Sequence, residues 1–197
     1  NYLGRDLRLA LVAVRYVKNE PKRFANAVET VTSSTSLPMI LCSFNPKVVE
    51  LGLLAAPGHR PLIYGVTRDN WPEMLELAKR YDVPVTVFSP GDLDLLASLV
   101  KTLSDNGVKD IVLDPGTFPG KGISYTIRAF THLRWKACNE GWRYARYPLM
   151  GTPITAWKVV EGDYQRKAFW EMLTAIILIT RYADVLIMHS LEGWVYL

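Results

Sequence analysis

Cysteine and histidine are scarce: two cysteines and three histidines in 197 residues. Cys42 and Cys138 lie far apart. They fit no CxxC metal pattern, and this chain alone cannot ligate an iron–sulfur cluster. Cys42, inside "PMILCS", reads as a buried free thiol, which suits a reducing, cytoplasmic compartment better than a disulfide scaffold does. Charge of one sign is also lacking. The 23 basic and 19 acidic residues leave a net charge of +4. The basic residues form no dense run, so nucleic acid has no electrostatic footprint here beyond a pI of about 9.0. No signal peptide is visible. The most apolar stretch, "MLTAIILITRYADVLIM", is broken by Arg181 and Asp184. Crossing a bilayer takes about 20 uninterrupted apolar residues. That stretch therefore reads as a buried helix followed by a buried strand, and no membrane partner is expected. Nucleophile elbows, Walker loops, metalloprotease helices and paired His/Asp metal sites are missing as well.

What is present is the composition of a globular protein, 49% hydrophobic and 21% charged. Short apolar runs recur: "LALVAV" from Leu9 to Val14, "PMILCS", "PLIYGV", "VPVTVFS", "DIVLDP", "YPLMGTPI" and "DVLIMHS". They lack period-2 alternation, as strands covered on both faces of a parallel sheet do. Between them lie helical stripes, Trp71, Leu75, Ala78 and Tyr81 in one and Leu93, Leu96, Val100 and Leu103 in another. Asn45 before Pro46, Asp69 or Asn70 before "WPEM", and Asp92 mark helix starts, and Gly107 marks a stop.

About seven βα units in monotonous alternation, without a GxGxxG loop in the first, favour a TIM (β/α)8-type barrel over an open doubly wound sheet. The fold class is α/β, and residues 1–197 read as a single TIM-barrel domain. Such a barrel typically needs about 250 residues. The first strand and last helix are therefore expected outside this sequence, which starts at Asn1 and reads as a piece of a longer chain.

Function in a barrel gathers at the C-terminal ends of the strands. Arg15 and Tyr16, Ser43 and Asn45, Thr67 to Asn70, Ser89 and Asp92, Asp114 and Thr117, Thr152 and Thr155, and His189 and Ser190 stand there. The candidates for ligand or cofactor contact are Asp114, Asn45, Thr67, Ser89, Thr152 and His189. No catalytic or metal-ligating residue is assigned. Each candidate also has a structural reading. Asn45, Asp69 and Asp92 are helix caps, Ser89-Pro90-Gly91 is a turn, and His189 is a hydrogen-bonded core histidine. Arg15 either pairs with a strand-end acid or meets a ligand. Asp114 either accepts N–H groups of a heterocycle or accepts the backbone of its own Pro115-Gly116 turn.

Five stretches together, "GRDLRLALVAVR", "VTRDNWPEMLELAKRY", "SPGDLDLLASLVKTLSDNGVKDIVLDPGT", "GTPITAWKVVEGD" and "RYADVLIMHSLEGW", resemble the large (gamma) subunit of the corrinoid iron–sulfur protein of the acetyl-CoA decarbonylase/synthase system. The resemblance runs in order along nearly the whole chain and covers only that family's central TIM barrel. It implies a parent protein with a 4Fe-4S cluster domain and a cobalamin-binding domain. That parent carries a methyl group on cobalt from a methyl-tetrahydropterin methyltransferase to acetyl-CoA synthase. The implied partners are the small subunit, the methyltransferase and acetyl-CoA synthase. The barrel would be a scaffold binding no cofactor by itself, because the cluster cysteines are missing and "MHSLEG" lacks the DxHxxG spacing.

A shorter resemblance competes. "LDPGTFPGK" is similar to the loop of pterin-binding barrels such as dihydropteroate synthase and the folate-dependent methyltransferases. It implies a pterin ring held by Asp114 and Asn45 with Lys121 nearby. A partner-docking barrel unrelated to methyl transfer is a third reading. Trp135, Trp142, Tyr144 and Tyr147 form an aromatic-rich patch suited to an interface or to core packing.

Overall fold

The computed structural model describes residues 9–17 and 19–196. The segment Gly4–Arg8 of the first family-like stretch lies outside the described residues. The chain falls into two compact units, one holding Leu9–Phe88 and Ser98–Val112 and the other including Ser89–Ala97 and Leu113 onward.

The first unit alternates strand and helix without interruption: β1 (Val12–Arg15), α1 (Pro21–Ser34), β2 (Met39–Cys42), α2 (Pro46–Leu54), β3 (Leu62–Val66), α3 (Trp71–Tyr81) and β4 (Val85–Phe88). Then come α4 (Leu93–Asp105) and β5 (Ile111–Asp114), with strand order β1-β2-β3-β4-β5. The strands through β4 pair in parallel, with Arg15, Cys42, Tyr64 and Thr86 in one row. Leu41, Ile63, Val85 and Val87 are fully buried. The helices pack so closely that a Cβ on Gly52 of α2 would stand 2.7 Å from Phe24 Cε1 and 3.1 Å from Leu41 Cδ1.

The second unit contains α5 (Ile123–Asn139), β6 (Met150–Gly151), α6 (Ala156–Val159), α7 (Tyr164–Thr180), β7 (Val185–Leu186) and the single turn α8 (Gly193–Tyr196). β6 and β7 pair in parallel, and Leu113 bridges Leu149 in parallel.

Several expectations shift. β1 is shorter than "LALVAV" and runs to Arg15. The buried stripe of α3 is Met74, Leu77 and Ala78 rather than one through Trp71 and Leu75. In α4, Leu96, Val100 and Leu103 are buried as expected, joined by Leu99. A short helical turn, α8, does follow the last strand. α7 is not buried all round: Phe169, Ile176 and Ile179 face solvent, because only the opposite side of the helix meets the core. No described helix is long and apolar enough to cross a membrane.

Candidate functional site

In the first unit the strand-end polar groups are held by backbone. Asn45 caps α2, its Oδ1 accepting the Lys47 N–H at 3.1 Å. Asn70 is the N-terminal boundary of α3 but does not cap it with its side chain. Instead its Oδ1 accepts the Thr67 N–H at 2.7 Å and the Thr67 hydroxyl at 3.1 Å. Its Nδ2 donates to the carbonyls of Phe44 and Gly65 at 2.9 and 3.2 Å. Asn70 is thus a staple across two strand-end loops. Phe44, Tyr64 and Phe88 pack there with ring centroids 5.5 to 5.9 Å apart. Arg15 is exposed and lies opposite Cys42 in the sheet register. Cys42 is half-buried as a residue rather than buried outright, and the shielding of its thiol pushes it up to about 12, with the Arg15 charge pulling the other way.

In the second unit Asp114 is fully buried at the end of β5, and its Oδ1 accepts the Gly116 N–H at 2.8 Å. This is the turn-holding arrangement of an aspartate two residues before an N–H. Ser89 donates its backbone N–H to the Asp114 carbonyl at 3.1 Å and its hydroxyl to the Asp92 carbonyl at 2.8 Å. Asp92 caps α4 through the Leu95 N–H. Thr152 donates its N–H to Thr117 Oγ1 at 2.9 Å, and Thr155 Oγ1 donates to the Thr117 carbonyl at 3.1 Å. Ser89, Asp114, Thr117 and Thr152 are brought together as a loop lattice. Lys121 is exposed on a turn of 3-10 helix, Gly120–Gly122.

His189 corrects its expectation. It is exposed rather than a core residue, and its ring stands edge-on to Trp157 at 4.7 Å between centroids. Below it lies a group that sequence reasoning missed. Glu171 of α7, fully buried, accepts the backbone N–H groups of His189 at 2.5 Å and Ser190 at 2.9 Å. The available signal was a single acid inside the apolar run "FWEMLTAIIL". A carboxylate there stays buried only when it is hydrogen-bonded. Of the aromatic patch, Trp135 is exposed on α5, while Trp142, Tyr144 and Tyr147 are half-buried.

Two thiols, one of them held protonated, do not fit a four-cysteine cluster. Among the described residues no three His, Cys, Asp or Glu side chains gather as a metal site. The arrangement is one of polar side chains satisfying loop backbone.

A family model for the CO dehydrogenase/acetyl-CoA synthase delta subunit matches residues 1–197. The chain belongs to that family. It is 46% identical over 194 residues to the acetyl-CoA decarbonylase/synthase complex subunit gamma 1 of Methanosarcina mazei, covering 98% of this chain and 41% of the relative. It is 41% identical over 192 residues to the gamma subunit of Archaeoglobus fulgidus, covering 97% and 40%. The resemblance read from the sequence is therefore borne out, and the chain spans about two fifths of the length of these relatives. Among solved structures, dihydropteroate synthase from Thermus thermophilus in complex with 4-aminobenzoate superposes with a TM-score of 0.65 at 18% identity, covering 89% of this chain and 76% of that one. The enzyme from Vibrio fischeri gives 0.66 at 15% identity, covering 90% and 73%. At such identities the likeness concerns fold alone, and it establishes the TIM-barrel class expected from the strand–helix alternation.

Proposed function

We propose that this segment is the scaffold barrel of a corrinoid iron–sulfur subunit in the cytoplasm. The whole subunit carries a methyl group on cobalamin, received from a methyl-tetrahydropterin methyltransferase and delivered to acetyl-CoA synthase. The barrel docks the small subunit and helps place the cobalamin-carrying part of the protein. The corrin and the 4Fe-4S cluster belong to segments of the relatives' length beyond this one. Cobalt supplies the nucleophilic chemistry, so the barrel needs no activated side chain. Residues 1–197 act in this as one domain.

The observation that carries the reading is the use of the strand-end side chains. The side chains of Asn45, Thr67, Ser89 and Asp114 take part in hydrogen bonds that hold their own loops, and at Thr152 it is the backbone N–H that is held, by the Thr117 hydroxyl. The competing pterin-binding reading assigns Asp114 and Asn45 to a ligand, and full burial of Asp114 at a strand end is what favours it. Calorimetry with methyl-tetrahydrofolate and methyl-tetrahydromethanopterin separates the two. A scaffold gives no saturable heat with either. Micromolar binding that disappears in Asp114→Asn overturns the scaffold and establishes a pterin site.

A further inference from the structure

Between Asp114 and Glu140 the chain carries no acidic residue, while Lys121, Arg128, His132, Arg134 and Lys136 all fall there. The structure divides the basic groups of α5 into two kinds. Arg134 pairs with Asp184, and Lys136 pairs with Glu140. Arg128 and His132, both exposed, have no carboxylate partner among the described residues. The Arg128 guanidinium lies instead over the Tyr125 ring, 4.8 Å from its centroid. A guanidinium stacked in this way keeps the N–H groups of its edge for an oxyanion.

Both residues line a groove of about 810 Å³ within the second unit, together with Arg181 and the rings of Phe118, Tyr125 and Trp135. Those rings are 37%, 62% and 50% exposed. No described acidic residue lines the groove. Asp92 and Asp94 flank Leu93 of the lining, and Asp114 precedes Pro115, but all three stand outside it. Asp92 is spent on capping α4, and Asp114 is buried on the Gly116 N–H. The volume lies in the range of small-molecule sites, about 300–1,000 Å³. Twelve described residues line the groove, fewer than the roughly 20–30 a side of a stable protein interface. The α5 backbone is already hydrogen-bonded within its helix, so an extended peptide would find no main-chain partners along it.

We infer that this groove binds a free nucleoside phosphate. The three exposed rings offer faces on which a planar base stacks. Arg128, His132 and Arg181 meet the phosphates through charge-assisted hydrogen bonds. A single carboxylate would engage only one of these cations, whereas a diphosphate chain carries enough charge for all three. None of the strand-end candidates Asn45, Thr67, Ser89, Asp114, Thr152 and His189 lines the groove. The site is therefore separate from the pterin question and does not depend on the scaffold reading.

The test is calorimetry of the full-length subunit with ADP, adenosine and inorganic pyrophosphate. ADP is expected to bind saturably and about tenfold more tightly than adenosine, which lacks the charge, or pyrophosphate, which lacks the ring. Arg128→Gln and Trp135→Leu, both at exposed positions, should each weaken ADP about tenfold with the circular dichroism unchanged. Arg181→Gln takes the place of either variant if it does not fold. No saturable ADP binding at millimolar concentration overturns the inference. So does pyrophosphate bound as tightly as ADP, or an ADP affinity that these variants leave unchanged. A single-stranded oligonucleotide bound far more tightly than ADP also overturns it, by making the groove part of a nucleic-acid surface. Asp114→Asn should leave ADP binding as it is, and a loss there would move the ligand to the strand ends and refute the groove.

Discussion

Glu171 and His189 are joined through the main chain, the carboxylate Oε1 accepting the His189 N–H at 2.5 Å while Oε2 accepts Ser190 at 2.9 Å. The carboxylate thereby fixes the loop after β7 onto α7, and with it the position of the exposed imidazole. Glu171→Ala leaves two N–H groups without their acceptor and is expected to cost about 3 kcal/mol or more in urea unfolding. Glu171→Gln keeps one acceptor and should cost about half as much. Equal stability of the alanine variant and the parent would show that the contact does not hold the loop.

The turn after Asp114 depends on Gly116, whose φ of +95° suits glycine and whose missing Cβ would stand 2.9 Å from the Pro90 Cα. Gly116→Ala combines backbone strain with overlap against main chain, an expected loss of about 2–4 kcal/mol. Gly91, at φ +79° with nothing within 4 Å of its Cβ position, is the control. Gly91→Ala should cost only the backbone term, about 1 kcal/mol. Chemical denaturation of the two variants side by side reads the difference, and equal losses would contradict the packing against Pro90.

The thiols should separate by reactivity. Cys138 is exposed, whereas the Cys42 thiol is pushed to about 12. At pH 8 only about one Cys42 in ten thousand would be thiolate, and the thiolate is the reactive form. Ellman's reagent should therefore titrate one thiol in the folded protein and two after denaturation. Two fast equivalents in the folded protein would refute the shielding of the Cys42 thiol. Because the unfolded thiol ionises near 9.0 and the folded one near 12, the unfolded state loses its proton first as pH rises. Stability should fall across that window, and Cys42→Ala should flatten the fall.

Asn70 offers a test of the staple between the β2 and β3 loops. Asn70→Ala removes hydrogen bonds to Thr67, Phe44 and Gly65 and should cost about 2 kcal/mol. Asn70→Asp is nearly isosteric, yet it sets a carboxylate against two carbonyl oxygens. It should cost more than alanine, about 3 kcal/mol or above. Thermal unfolding that ranks aspartate above alanine would mean that the Nδ2 contacts do not matter.

Local features carried much of this in the sequence. The apolar runs marked the strands, although β6 and β7 are only two residues long, because ladder pairing ends well before apolar character does. Asn45 and Asp92 were legible as caps, since a cap is satisfied by backbone two or three residues away. The Asp114 turn was equally legible as one of two readings, its acceptor and donor lying two residues apart.

Contacts between distant residues were not legible. Glu171 meets residues 18 and 19 positions on, and Asn70 reaches Phe44 across 26, so only chain folding could bring those atoms together. The same holds for the outward stripe of α7. Its residues are as apolar as a core helix requires, and hydrophobicity alone made the whole segment look buried. The helix has two apolar sides, and the chain as folded covers one of them. The sequence by itself determined the elements and the family. Which apolar side was buried, and which polar groups were spent on holding loops, was decided by tertiary packing, because burial and hydrogen-bond satisfaction depend on neighbours far away in the chain.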